Sequence, residues 1–207
     1  MAITQELFEY ALAPNMWDYN DGILYAMCAK DPYHTDPAVI SGKMNIIGRS
    51  YAAAIERRKN AKDTQDVFYR KHVVPTLSAS DIDNRINNLR MFAQIEKQNI
   101  EAVLSTHKYL VDIFYKITGQ NKRSLASKYL HFHLPNMFFL YDSQARRGLR
   151  KLKLGLHVSR VAGDFDEEYN VFCLKLLDIR EEIKRDYGRI LTPRQIDRML
   201  LRVAEQT

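Results

Sequence analysis

One carboxylate and a dense set of basic side chains in the second half of the chain have the types and spacing that could act on an anionic ligand. Between Lys122 and Arg160 the only acidic residue is Asp142. The same segment contains nine basic residues, which are Lys122, Arg123, Lys128, Arg146, Arg147, Arg150, Lys151, Lys153 and Arg160. The segment therefore carries +8, whereas the whole chain carries +6, so the remaining residues sum to −2. Positive charge concentrated in one region favours a phosphate-bearing partner, and residues 122–160 are predicted to form a nucleic-acid-binding surface.

Several other kinds of chemistry lack their usual sequence signals. The chain contains no GxxxxGK phosphate loop, no zinc-protease or deaminase signature and no serine nucleophile elbow. His131 and His133 would lie about 200° apart on a helix, so they are not expected to share a metal ion. Asp31, His34 and Asp36 precede a helix start, where such residues commonly act as caps, and no further ligand follows at a recognisable spacing. We therefore expect neither a metal ion nor a cofactor.

Length and composition are those of a globular protein. With 207 residues, 46% of them apolar, the chain is long enough for one large domain with a sizeable core. No apolar run approaches the roughly 18 residues of a membrane span, and acidic residues stand where a secretory signal would be basic. Cys28 and Cys173 lie in apolar helical patterns and are expected to be buried thiols. These features predict a cytoplasmic protein without a membrane partner.

The elements that must position the charged residues are helices. Apolar residues recur at i, i+3, i+4 and i+7 through nearly the whole chain, and no convincing alternating strand is present. The expected class is all-α, with a single domain over residues 1–207, about eight to ten helices and a polar joint near 60–65. The predicted helices run from Thr4 to Leu12, Met16 to Lys30, Pro37 to Lys59, Thr64 to Val74, Asp81 to Phe92, Asn99 to Thr118, Ser124 to Phe132, Asp142 or Ser143 to Lys153, Asp164 to Tyr187 and Pro193 to Glu205.

Two of these helices have a predicted core face. The stretch from Asn99 to Thr118 has the cleanest apolar stripe, which includes Leu104, His107 and Phe114, and it is expected to be the central core helix. Gly119 is placed to end it in a left-handed cap. In the second helix the apolar positions Trp17, Ile23, Leu24 and Met27 suit a core face.

The basic helix that begins near Asp142 follows the apolar connector MFFLY. Its cations recur four residues apart, as the pairs Arg146/Arg150 and Arg147/Lys151, so they share one side of the helix. Asp142 can be read as an N-cap or as a member of a site, and both interpretations are open. His133 ends the preceding helix, where it could bond a free carbonyl or face a phosphate.

The stretch SLASKYLHFHLPNMFFLYDSQA resembles a segment of an uncharacterised family of bacterial all-helical proteins with the pattern SKYLHFH…P…YDS. The stretches KMNIIGRSYAAAIERR and TPRQIDRMLL fit the same family, so the likeness covers much of the chain from about residue 31. This family is in turn distantly similar to the helix-hairpin-helix DNA glycosylases of the 8-oxoguanine type. The resemblance implies a glycosylase-like helical fold.

The resemblance also implies roles for individual residues. In those glycosylases a glycine-rich hairpin presents amides to a DNA phosphate, a lysine near the start of the next helix attacks the sugar, and an aspartate after an apolar connector assists. Asp142 matches the aspartate. Lys122 or Arg123 stands nearer the position of the lysine, whereas Lys128 lies deeper in the helix. The chain departs from the pattern in having only Gly119 where the hairpin would carry two or more glycines.

Two functions from different classes are compatible with these observations. The first is a nucleic-acid-binding protein, with DNA as the expected partner, that is glycosylase-like or descends from a glycosylase. Its phosphate contacts would be Arg123, His133, Arg146, Arg147, Arg150, Lys151 and Lys153, and its catalytic residues, if it is an enzyme, Asp142, Lys128 and Lys122. A base that reacts must be flipped out of the stack, and Trp17 or a Tyr or Phe would support it. The alternative is a non-catalytic interaction module of a bacterial defence or toxin–antitoxin system, whose basic helix binds an acidic protein.

Overall fold

The computed structural model describes residues 2–57, 63–152 and 158–206, and within these ranges the chain contains helices and no strand. The helices are α1 Gln5–Leu12, α2 Asp18–Lys30, α3 Pro37–Ser50, α4 Gln65–Phe68, α5 Val74–Ser78, α6 Ile82–Leu89, α7 Ile100–Thr118, α8 Arg123–His133, α9 Ser143–Lys151, α10 Glu167–Tyr187 and α11 Pro193–Glu205. A π-helical turn joins α4 to α5 without a break, so the described residues form ten continuous helical stretches. The prediction of an all-α fold with eight to ten helices is confirmed. The joint predicted near 60–65 falls partly outside the described residues.

Side-chain caps explain where half of the helical stretches begin. The capping residues are Thr4, Asp36, Asp142, Asp166 and Thr192, each of which accepts a hydrogen bond from an amide of the first turn. These amides have no partner within the helix, so a side-chain oxygen at this position stabilises the start. Helix α7 ends at Gly119, which adopts φ 70°, and this confirms the predicted left-handed cap.

The innermost helix is α8. Leu104 and Phe114 of α7 are 1% and 0% exposed, which confirms the predicted apolar stripe. In α8, every residue from Leu125 to His133 is buried, whereas α7 also presents exposed positions such as Tyr115. The sequence pattern did not predict that α8 is so deeply buried, because polar residues of this helix interrupt its apolar stripe.

Three local predictions differ from the structure. Helix α3 ends at Ser50, well before Lys59, because the chain turns directly after it. Pro75 does not end the helix: it lies just after the π-helical turn Tyr69–Val73, where the wider turn accommodates a residue without an N–H, and the helix continues to Ser78. Trp17 and Ile23 are 53% and 51% exposed and do not face the core.

Helix α9 is held close to α11 by two small residues. Ala145 and Gly148 are buried in this contact. A Cβ atom at position 148 would lie 2.7 Å from the carbonyl carbon of Leu200 in α11. This close approach fixes one side of α9 against the protein and leaves its basic side directed outward.

Two further predictions concern the cysteines and the membrane. Cys28 and Cys173 are both buried and unpaired, as predicted. None of the described helices combines the length and the apolar character that crossing a bilayer requires.

Candidate functional site

Asp142, Lys128 and Lys122, the three residues that the sequence singled out for chemistry, line one cleft of about 590 Å³. Three segments form its walls: the turn after α3 at residues 51–57, the hairpin between α7 and α8, and the entry to α9. The first wall consists largely of backbone, because Ala52, Ala53 and Ala54 are small and Ala52 adopts a left-handed φ of 50°. Backbone and small side chains therefore form much of one side of the cleft, whereas charged side chains form the other.

The carboxylate of Asp142 performs two tasks with separate oxygens. Oδ1 accepts hydrogen bonds from the amides of Gln144 and Ala145, each at 2.9 Å, and so caps α9. Oδ2 accepts a hydrogen bond from Nζ of Lys128 at 2.9 Å. Burial by itself would raise the pKa of Asp142, but the ammonium and the two amides outweigh it and lower the pKa below its usual value. The carboxylate is therefore ionised at neutral pH and still borders the cleft.

Lys128 projects from the buried helix α8 into the floor of the cleft and is only 3% exposed. Its Nζ donates to Asp142 and, at 3.3 Å, to the carbonyl oxygen of Tyr51. It also lies 5.4 Å from the centre of the Tyr51 ring, within the range of a cation–π contact. The two hydrogen bonds and the ring contact together fix the position of Nζ in the floor of the cleft.

Lys122 and Arg123 lie at the mouth of the cleft, where α8 begins. Nζ of Lys122 donates to the carbonyl oxygen of Arg57 and so links the hairpin to the turn after α3. Arg123 pairs with Asp166 at 2.5 Å and with Glu168 at 3.2 Å, so part of its charge is balanced within the protein. No side chain caps α8, and its first residues, Arg123 and Ser124, line the cleft.

The cations of α9 differ in their partners. Arg146 pairs with Glu168 of α10 at 3.1 Å. Arg147 and Arg150 are exposed and pair with no carboxylate among the described residues. Lys151 donates to the carbonyl oxygens of Ala204, at 3.3 Å, and Gln206, and so binds the C-terminal end of α11. Lys153 lies outside the described residues.

His133 does not lie on the basic surface, which corrects its prediction as a nucleic-acid contact. It is 5% exposed, with Nδ1 2.9 Å from the carbonyl oxygen of Tyr129 and Nε2 3.2 Å from Nζ of Lys43. Its carbonyl contact was one of the two roles that its position at a helix end indicated. Among the described residues, no three His, Cys, Asp or Glu side chains are grouped closely enough to hold a metal ion.

A second layer of charged groups lies beneath the cleft, and the sequence patterns did not indicate it. Arg194 of α11 donates to Asp21 at 2.7 Å and to Asp197 at 2.5 Å, while the hydroxyl of Tyr51 donates to Asp21. Tyr51 thus connects this layer to Lys128 through its carbonyl. Burial, opposed by Arg194 and reinforced by Asp142, raises the pKa of Asp197 to about 6. Only the helical start signal of Thr192 was visible in the sequence, because the contact between Arg194 and Asp21 joins residues 173 positions apart.

Trp17, considered as a stacking residue, does not line the cleft, whereas Tyr51 and Tyr141 do.

Comparison with known proteins adds no assignment: no family model, no curated protein and no solved structure matches this chain.

Proposed function

We propose that the protein binds a nucleic acid, DNA in particular, with one nucleotide placed in the cleft, and that Asp142 acts on the glycosidic bond of that nucleotide. The observation that carries the proposal is the position of Asp142, an ionised carboxylate bordering a cleft whose other charged residues are mostly cations. Unlike Asp36, which caps α3 through one oxygen, Asp142 also holds a buried lysine at the floor of the cleft through its second oxygen. The resemblance to helix-hairpin-helix glycosylases, stated from the sequence, agrees with this arrangement.

Binding is supported by cations around the mouth of the cleft and on α9. Arg57 is exposed at the mouth, and Arg147 and Arg150 extend the positive surface along α9. Acidic residues at the start of α10 balance Arg123 and Arg146, so the effective charge is smaller than the sequence count of +8. Phosphate groups can be attracted by these unbalanced cations.

The reaction follows from the charge states in the cleft. As the bond between C1′ and the base nitrogen breaks, its electron pair stays on the base, and the ionised Asp142 stabilises the positive charge that develops on the sugar. Water then forms the new bond to C1′, and one of its protons is lost as the base takes up a proton. The products are a free base and an abasic site.

The two lysines are suited to different tasks. Lys128 is buried, and its Nζ is held by hydrogen bonds to the carboxylate of Asp142 and the carbonyl of Tyr51, so it is not placed to reach a sugar at the mouth of the cleft. Its task in this proposal is to position Asp142 and keep it ionised. Lys122 stands at the start of α8, at the mouth of the cleft, and is the residue from which a covalent lysine route would proceed.

The test combines binding and base release. Fluorescence anisotropy with labelled DNA across a salt series should give a negative slope of log K against log salt, and a lesion panel that includes 8-oxoguanine and uracil should show base release. Asp142→Asn should abolish release and retain binding. Asp36→Asn is the matched control, since Asp36 caps α3 through Ala38 and Val39 in the same way but lies away from the cleft.

Three outcomes contradict parts of the proposal. Absence of base release by the wild-type protein across the panel removes the catalytic part. Absence of salt-dependent DNA binding removes the whole proposal and leaves the interaction module that binds an acidic protein. Borohydride trapping of a covalent DNA adduct that disappears in Lys122→Ala shows that a lysine, and not water, attacks the sugar.

A further inference from the structure

A second concavity adjoins the cleft and belongs to none of the roles assigned so far. It is a groove of about 430 Å³ between α9 and α10, referred to here as the flanking groove. Its floor is formed by Leu149 of α9 and by Val171 and Phe172 of α10. Arg150 and Lys175 stand along its rim, one from each helix. The volume is within the range of sites that hold small organic ligands.

The charges of the flanking groove favour an anion. Glu167 pairs with Arg160 at 2.7 Å, and Glu168 pairs with Arg146 at 3.1 Å, so both carboxylates of the groove are balanced. Arg150 and Lys175 have no carboxylate partner among the described residues. A ligand with one apolar face and one anionic group therefore complements the groove, because the floor is apolar and the unbalanced charge on the rim is positive.

The flanking groove continues directly from the cleft. Tyr141, Arg146 and Glu168 line both concavities, so these three side chains form the wall between them. Arg150 follows Arg146 by one helical turn, about 6 Å along α9, which is close to the spacing of neighbouring phosphates on a strand. A nucleic-acid strand that leaves the cleft past Arg146 would therefore place its next phosphate at the flanking groove.

We propose that the flanking groove binds the nucleotide next to the one in the cleft, with its base against Leu149, Val171 and Phe172 and its phosphate between Arg150 and Lys175. This inference rests on the proposed function and defines its substrate class. In duplex DNA the faces of neighbouring bases are stacked on each other, so an apolar floor can be used only by an unpaired base. The substrate is accordingly a single strand, or a site with at least two unpaired nucleotides, rather than an intact duplex with one flipped base.

The experiment compares one labelled oligonucleotide as a single strand and as a duplex with its complement, by fluorescence anisotropy across a salt series. The wild-type protein should bind the single strand about tenfold more tightly than the duplex, as expected when one additional base stacks on protein. The double variant Arg150→Ala/Lys175→Ala should lose most of that preference, and its salt slope for the single strand should be shallower by about 0.7 for each phosphate contact removed.

Two further variants distinguish binding in the flanking groove from a general effect of positive charge. Val171→Glu places a carboxylate on the floor and should reduce single-strand binding more than duplex binding, with circular dichroism as the check on folding. Lys184→Ala is the matched control because it removes one exposed lysine from α10, nine residues beyond Lys175 and on the opposite face of the helix, and it does not line the groove. Single-strand affinity and slope should be unchanged in Lys184→Ala.

The outcomes distinguish this inference from the proposed function. If the wild-type protein binds no nucleic acid, both fail. If it binds and releases a base, but Arg150→Ala/Lys175→Ala keeps the wild-type affinity, slope and strand preference, only the flanking groove is refuted. Equal or tighter binding of the duplex also refutes it. A polyglutamate peptide that displaces the oligonucleotide at equal charge concentration, with the same sensitivity to Val171→Glu, would show that the groove recognises an acidic protein segment instead.

Discussion

The two oxygens of Asp142 have different partners, and this division decides what substitutions will do. If the residue were only a cap, asparagine would keep an acceptor for the two amides and would be nearly silent. In the structure, however, the second oxygen accepts from Lys128, which is almost completely buried. An asparagine that keeps its oxygen on the cap must direct its NH₂ group at the ammonium. Two donors would then face each other and leave a buried cation without an anion.

Asp142→Asn is therefore expected to destabilise the protein by about 2 kcal/mol, less than for a fully buried pair because the carboxylate side chain is 26% exposed. Lys128→Met should cost about 1 kcal/mol, since the remaining carboxylate still caps α9 and faces the cleft. The double variant should cost less than the sum of the two, because each single change leaves the other partner unpaired. Urea unfolding of the four proteins measures the coupling, with Asp36→Asn as a control that should stay within about 0.5 kcal/mol of wild type. Strict additivity would show that the ion pair is not formed in solution.

Only one of the two structural roles of Asp142 could be predicted from the sequence. The cap could be predicted, since an aspartate after an apolar connector and before a helical pattern is a common helix start. The pairing with Lys128 could not, because it depends on how the connector folds back over α8. The same limit explains His133: its position in the sequence indicated a helix end, but whether that end faces solvent or Lys43 is decided by distant elements.

At the scale of elements, the position of Asp142 depends on the contact between α9 and α11. Gly148 has no Cβ, and this allows the backbone of α9 to approach Leu200 of α11. A glycine inside a helix costs about 1 kcal/mol relative to alanine, so the close packing must compensate for it. The role of Gly148 could not be predicted from the sequence, because nothing in the local pattern shows that the carbonyl of Leu200 lies against it.

Gly148→Ala should accordingly destabilise the protein by about 1–3 kcal/mol, since the added methyl group overlaps the backbone of Leu200 and forces the helices apart. The variant should also weaken base release, because α9 carries Asp142 at its start. Gly42→Ala is the matched control: Gly42 lies inside α3 with no neighbouring atom within 4 Å of the added carbon, so alanine should stabilise by up to about 1 kcal/mol. Chemical denaturation of both variants gives the comparison, and equal effects at the two positions would contradict the packing argument.

The burial of α7 gives a second expectation at this scale. Leu104→Ala and Phe114→Ala should each cost about 2–5 kcal/mol, because truncation leaves a cavity among side chains that are almost fully buried. Tyr115→Ala, at a position of the same helix that is 53% exposed, should cost less than about 1 kcal/mol. Equilibrium unfolding in urea measures all three. A cost below about 0.5 kcal/mol for both core variants would mean that α7 does not pack in solution as it does here.

At the scale of the whole molecule, the hydrophobic period predicted the fold class well because it repeats in almost every segment. The charge distribution was predicted less well. The segment 122–160 is strongly basic, yet Arg123, Arg146 and Arg160 find Asp166, Glu168 and Glu167 at the start of α10, which lies just outside that segment. Counting charges within a segment cannot reveal a neighbour that the fold supplies.

The interior also holds several histidines, and these set the response of the molecule to acid. Burial lowers the pKa of His107 to about 4 and that of His131 to about 3, and it holds the pKa of His133 well below the usual 6.5. His107 and His131 are therefore neutral in the folded protein at pH 5, and burial disfavours the charged form of His133 as well, whereas in the unfolded chain all three take up protons below about pH 6.5. Asp197, with its raised pKa of about 6, acts in the opposite direction, because the folded state then binds a proton before the unfolded state does.

The stability of the protein should consequently fall as the pH is lowered from 6.5 towards 4. Each buried neutral histidine contributes a loss of about 1.4 kcal/mol per pH unit, and Asp197 offsets about one of the three below pH 6. His107→Phe should reduce the slope by about 1.4 kcal/mol per pH unit. At pH 7 it should cost no more than about 1 kcal/mol, since phenylalanine keeps the stacking on Tyr169 and removes an Nδ1 that has no partner, but loses the 3.4 Å contact of Nε2 with the carbonyl of Arg123. Urea unfolding at a series of pH values between 7 and 5 measures the slopes, and a flat profile for the wild-type protein would show that these histidines are not buried in solution.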